Sequence, residues 1–181
     1  MIMLENLGSY RKGRLWVKNM PRINYTVIDQ IYSTLPVEKG LVLSPCNLAL
    51  ETLFSPRQVS NYAFLGVNFT PNDGEIIEIT INTSLDEGRI LEDHIAFQSD
   101  EVYMGIPYEY GEAILSSVQE TLLDIQTFSG GKLNFHMGAY GQVGTSQRSF
   151  SKTTEIMIRL LTINPYIADE KQLEEMILES L

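Results

Sequence analysis

A chain of 181 residues, 44% hydrophobic and 20% charged, has the make-up of one well-buried domain, or of one domain with a substantial extension, and not of a disordered segment. Its single cysteine, Cys46, excludes an internal disulfide and a cysteine-based zinc site within one chain. The net charge of −10 is unevenly spread: Arg11, Lys12, Arg14, Lys18 and Arg22 against Glu5 leave residues 1–22 at +4 and the remainder at −14, so nucleic acid is repelled at long range and any contact with it has to be local.

No apolar run approaches the roughly 20 residues that span a bilayer, and the first residues carry their charges after a short apolar patch, the reverse of a secretory signal. A cytoplasmic protein without membrane attachment is expected. In chain order, Leu15–Val17 suggests a short strand, and Ile23, Val27, Ile28, Ile31 and Leu35 recur as a helix stripe that Pro36 would end. Pro45 reads as the start of a second helix, with Leu48, Leu50, Leu53 and Phe54 as its buried side and Pro56 as its stop. Cys46 would then sit at a helix N-terminus, where a thiol pKa can fall. With neither histidine nearby in sequence, a buried small residue is the preferred reading.

Residues 62–69 and 75–82 are β-rich runs joined by Thr70-Pro71-Asn72-Asp73-Gly74, a hairpin signal. Residues 89–97 read as a third strand. After Pro107 a helix places Ile114, Val118, Leu122 and Ile125 on one face, and Gly130 and Gly131 end it. The next strand alternates, with Leu133, Phe135, Met137 and Ala139 on one side and Lys132, Asn134, His136 and Gly138 on the other. Gly138, Gly141 and Gly144 supply permissive backbone for a sharp turn. Thr145 and Ser146 can cap a helix whose stripe is Phe150, Thr154, Met157, Ile158 and Leu161. Beyond Pro165, an acidic helix carries Leu173, Met176, Ile177 and Leu181 on one side. Strand, strand, strand, helix, strand, helix is the order of an α+β two-layer sandwich. We divide the chain into an N-terminal extension (1–70), this domain (71–164) and the C-terminal amphipathic helix (165–181).

Two motifs in that domain resemble a known family. Residues 138–150, GAYGQVGTSQRSF, are similar without a gap to the end of domain IV of translation elongation factor G and of the tetracycline-resistance ribosomal protection proteins. The family run there is roughly G-S-Y-H-x-V-D-S-S-E-x-A-F. Gly138, Tyr140, Val143, Ser146 and Phe150 match outright. Upstream, Gly105, Pro107, Glu109, Tyr110 and Ala113 match that domain's G-V-I-P-x-E-Y-x-x-A-V helix. The resemblance covers about residues 74–161. It implies the same element order, with a left-handed crossover, and association with the ribosome or structured RNA through the loop between the last strand and helix. The chain departs from the pattern where the tip histidine falls on Gly141 and the acidic residue on Gly144. A second family tip run, G-R-G-Q-Y-G, and any GTPase motif are missing from the sequence.

The candidate contact residues are therefore Tyr140, Gly141, Gln142, Gly144, Thr145, Ser146 and Arg148, in a non-catalytic binding module needing no cofactor. One alternative is a protein-interaction domain, or one that self-associates through the C-terminal helix; it is motivated by the acidity and the missing tip histidine. A second is a small enzyme using the glycine-rich turn at a helix start to hold a phosphate. His94 and His136, the only imidazoles, read as sheet-face residues in preference to a metal or acid-base pair. The acidic pairs Asp86-Glu87 and Glu174-Glu175 lack the facing geometry of coupled carboxylates.

Overall fold

A computed structural model describes residues 1–38, 42–55 and 60–181. Among these residues, eight strands form one mixed sheet: β1 (Ile2–Leu4), β2 (Arg11–Val17), β3 (Asp29–Pro36), β4 (Cys46–Phe54), β5 (Tyr62–Asn72), β6 (Ile76–Thr83), β7 (Val102–Met104) and β8 (Gly130–Gly141). The helices are α1 (Tyr108–Ile125), α2 (Gln147–Leu161) and α3 (Glu170–Glu179). Strand order is β1-β2-β4-β5-β8-β6-β3, with β7 pairing the end of β8. The chain is α+β, as expected. The boundary foreseen near residue 70 falls inside β5, and the sheet runs through it.

Residues 62–69 and 75–82 do run antiparallel, but they are not a hairpin. Strand β8 lies between them, antiparallel to β5 and parallel to β6. Gly130 and Gly131 make this possible. A Cβ at Gly130 would sit 2.4 Å from the Gly74 carbonyl oxygen, and one at Gly131, where φ is +137°, would sit 2.3 Å from that of Thr70. The glycine pair thus admits β8 into the mouth of the 72–75 turn. It does not end α1, whose C-cap is Gln126 in the left-handed conformation. Helix α1 instead serves as the crossover joining parallel neighbours β6 and β8.

Strand β8 also changes phase. Register slips between Gly66 and Val67 of β5, leaving His136 as an extra residue on β8. Leu133 and Phe135 consequently face the core beneath α1 and α2, whereas Met137 and Ala139 join a second core on the opposite face with Trp16, Phe64 and Val102. The expected single apolar side over 133–139 is therefore divided by the bulge, because one added residue inverts every side chain that follows. The first core holds Ile77, Ile79 and Ile81 with the α2 stripe Phe150, Met157, Ile158 and Leu161, all at most 1% exposed. Each such side chain is worth about 1.5–3 kcal/mol of burial.

Three further expectations are corrected. Residues 29–36 form edge strand β3, with Ile31, Ser33 and Leu35 half-buried and Gln30, Tyr32 and Thr34 exposed. A helix stripe and a one-sided strand share several of these positions, and pairing with β6 decides between them. Residues 46–54 form the interior strand β4; a short continuous apolar run buried on both faces has no period to distinguish it from a helix. Pro56, the expected stop, lies outside the described residues. Residues 89–97 are irregular apart from a bridge between Ile90 and Tyr103, and β7 is the third strand of the order. Helix α3 seats Leu173 and Ile177 in the first core, so its stripe is taken up within the chain.

The irregular segment is clamped to the second face by charges. Arg14 Nε donates to Glu51 Oε2 at 2.5 Å and Arg14 Nη1 to Asp93 Oδ1 at 2.8 Å. Glu51 Oε1 accepts from the Tyr62 hydroxyl (2.7 Å) and the Ile95 amide (3.0 Å). Arg14 thereby leaves the basic N-terminal group, and Lys18 lies over the Tyr166 ring at 5.3 Å.

Removing Glu51 leaves the buried Arg14 guanidinium with only the exposed Asp93 as partner. Glu51→Ala is expected to cost about 3–5 kcal/mol in urea unfolding, and the Arg14→Met/Glu51→Leu pair to be more stable than the single variant; a single variant no worse than the pair would contradict this. Burial also lowers the His136 pKa from its ordinary value of 6.5. As pH falls below about 6.5, the unfolded chain takes up that proton first, so stability present above this pH is lost until the folded-state value is passed. Urea midpoints measured from pH 8 to 5 should fall less steeply in His136→Gln than in wild type, and parallel profiles would refute the assignment.

Candidate functional site

The loop between β8 and α2 projects from the end of the sheet, and its shape is fixed by a carboxylate from elsewhere in the chain. Asp100, only 8% exposed, stands at the turn before β7. The Val143 and Gly144 amides donate to its Oδ1 and Oδ2 at 2.9 and 2.8 Å. Successive backbone N–H groups aimed at one anion are the geometry by which loops bind phosphate. Here the anion is built in, and the slot that a phosphate-binding enzyme would need is occupied by the chain itself.

The glycines follow from this. None of Gly138, Gly141 and Gly144 has a positive φ, so their role is spatial, contrary to the expectation of backbone permissiveness. A Cβ at Gly141 would lie 2.2 Å from Asp100 Oδ2, one at Gly144 2.7 Å from the same atom, and one at Gly138 2.4 Å from Ile106 Cγ1. The two positions at which the sequence departs from the family pattern, 141 and 144, are thus the two packed on Asp100.

Further bonds tie the loop to β5 and β7. The Tyr62 amide donates to the Gly144 carbonyl at 2.8 Å, the Thr145 hydroxyl to the Tyr62 carbonyl at 2.6 Å, and the Gly141 amide to Thr145 Oγ1 at 2.8 Å. The Gln142 amide donates to the Glu101 carbonyl at 2.8 Å. Ser146 caps α2 in a reciprocal box with Ser149.

Of the seven candidate residues, the structure exposes Gln142, Ser146 and Arg148 and leaves Thr145 half-buried. Tyr140, Gly141 and Gly144 are buried, so they are parts of the scaffold. Tyr140 is 6% exposed, donates its hydroxyl to the Asp86 carbonyl, and packs against Tyr103 and Tyr110 with ring centroids 5.9 and 5.8 Å away. Tyr110 in turn stacks on Phe150 at 4.9 Å. Val143, in contrast, is 83% exposed at the tip. Its place between two glycines gave no hint of this. Asp100 was also missed, since a lone aspartate 43 residues upstream carries no local signal.

The remaining candidates lie away from the loop tip. Cys46 is buried, as the preferred reading had it, though in β4 and not at a helix start, and burial pushes its thiol up to about 12. His94 lies edge-on to Tyr62 at 6.3 Å, and His136 occupies the β8 bulge. Among the described residues, no three His, Cys, Asp or Glu side chains form a group that could hold a metal ion. No helix is long and apolar enough to cross a membrane.

No family model, curated protein or solved structure matches this chain.

Deleting the built-in anion should reveal the slot. Asp100→Ala is expected to lose about 2–4 kcal/mol, the scale of two charge-assisted bonds to buried donors. Formate or phosphate should then raise the melting temperature of the variant and not that of wild type. A variant of wild-type stability, or one indifferent to anions, would contradict the assignment.

Proposed function

We propose that the chain is a non-catalytic binding module, built on the plan of domain IV of elongation factor G, whose contact surface is the β8–α2 loop and whose partner is a protein. The plan is supported by the order β5, β6, β7, α1, β8, α2, by the parallel β6–α1–β8 crossover, and by the loop standing at the end of the sheet. The observation that carries the reading is the tip itself. A rigid loop holds Val143 out at 83% exposure, and a preorganised apolar projection loses little entropy on docking to a complementary surface.

The electrostatics around the tip favour a protein over RNA. Gln142 bonds to the backbone of Glu101, and Asp86, Glu87 and Glu109 line the cleft it borders, whereas Arg148 is the nearest exposed cation in sequence. Phosphate contacts need cations at the interface. Arg148 together with Gln142 supports a second reading, association with the ribosome or structured RNA, in which the acidic flank would set orientation and Arg148 would meet a phosphate.

A photo-crosslinking amino acid at position 143, irradiated in native lysate, separates the two. The first reading expects a discrete protein adduct that is lost when Gln142 is also replaced by Glu. Adducts confined to RNA would overturn it in favour of the second.

A further inference from the structure

Beside the loop, β7, the start of α1 and the irregular segment after β6 enclose a cleft of about 500 Å³, within the range of small-ligand sites. Three tyrosines, Tyr103, Tyr110 and Tyr140, line it together with Asp86, Glu87 and Glu109, and no lysine or arginine does. Each tyrosine comes from a different element: Tyr103 from β7, Tyr110 from the first turn of α1 and Tyr140 from the end of β8. Their positions are fixed by the same contacts that hold the loop.

The hydroxyl groups are already engaged. Tyr103 donates to Glu101 Oε2 at 2.5 Å, Tyr110 to the Thr145 carbonyl at 3.4 Å and Tyr140 to the Asp86 carbonyl. An anionic or acceptor-rich ligand would therefore meet spent donors and like charge. Aromatic rings carry negative potential on their faces and attract weakly hydrated cations, and nearby carboxylates strengthen that attraction. A hard metal ion needs converging oxygen ligands, and no such group occurs among the described residues. Burial and the neighbouring carboxylates raise the pKa values of Tyr110 and Tyr140, the latter to about 12, and the hydrogen bond to Glu101 raises that of Tyr103, so the phenols stay neutral at physiological pH.

We infer that this cleft binds an organic cation, an ammonium or guanidinium group, against the half-buried rings of Tyr103 and Tyr110 and among the Asp86, Glu87 and Glu109 carboxylates, with Tyr140 packed behind the two rings. Such a group can come from a basic side chain of a partner or from a free amine. The first source rests on the protein-partner reading above; the cleft chemistry does not.

The test is a titration of the full chain, followed by the NMR signals of ring-labelled tyrosine. The probes are tetramethylammonium chloride and Nα-acetyl-arginine amide, with sodium chloride and neutral tert-butanol as controls. Saturable, mutually competitive binding of the two cations is expected, weakened about tenfold or more by Asp86→Asn/Glu109→Gln and by Tyr103→Leu, and unchanged by Glu174→Gln on α3. The double variant alters exposed side chains only, so its fold should be retained. Tighter binding of the arginine amide would mark a partner's side chain as the source, and tighter binding of tetramethylammonium a free amine. No saturable response to about 100 mM, equal binding of tert-butanol, or a double variant that binds like wild type would overturn the proposal. Failure here alongside a protein crosslink at position 143 would remove the cation site and leave the binding module standing.

Discussion

The loop between β8 and α2 depends on one interaction, the Asp100 carboxylate held by the Val143 and Gly144 amides. Without it the loop would have two donors facing an empty slot, and it would bind whatever anion was at hand. With it, the backbone amides of residues 141–144 are all satisfied within the chain, and the Val143 side chain stands open to solvent. The same bond explains why positions 141 and 144 are glycine and why a larger residue at either would collide with Asp100.

Asp100 works within a wider frame that meets at Tyr62. The backbone of Tyr62 holds the loop through Gly144 and Thr145, while its hydroxyl reaches Glu51 and so the Arg14–Asp93 clamp. One residue thus links the loop to the network pinning residues 91–96 on the far face of the sheet. That arrangement needs a sheet with a core on each side. The β8 bulge at His136 provides it, turning a strand that begins over α1 and α2 into one that ends in the second core.

What was legible in the sequence follows from how local each signal is. Helices α1 and α2 could be read because a long amphipathic period survives any tertiary context, and Ser146 could be read because capping is a contact three residues long. Strands β3 and β4 were mistaken for helices because apolar residues in runs this short fit either period. The Tyr62–Thr83 region was read as a hairpin because sequence neighbours usually pair; here two glycines 50 residues later insert a strand between them. The candidate residues do fall on and beside one loop, but what surrounds each of them was not legible. Tyr140 looked like a contact residue and is a packing residue, since its surroundings, Tyr103, Tyr110 and Asp86, come from other elements. Asp100, Val143's exposure and the tyrosine cleft all arise from long-range juxtaposition, which composition and spacing do not encode.

The most direct measurement of the central claim is native-state hydrogen exchange at the Val143 and Gly144 amides. A loop clasped by Asp100 predicts protection at both comparable to that of neighbouring β8 amides, although the Val143 side chain is open to solvent. Exchange of both at the rate of an unstructured loop would mean that the carboxylate does not hold them, and the rigid tip would fall with it.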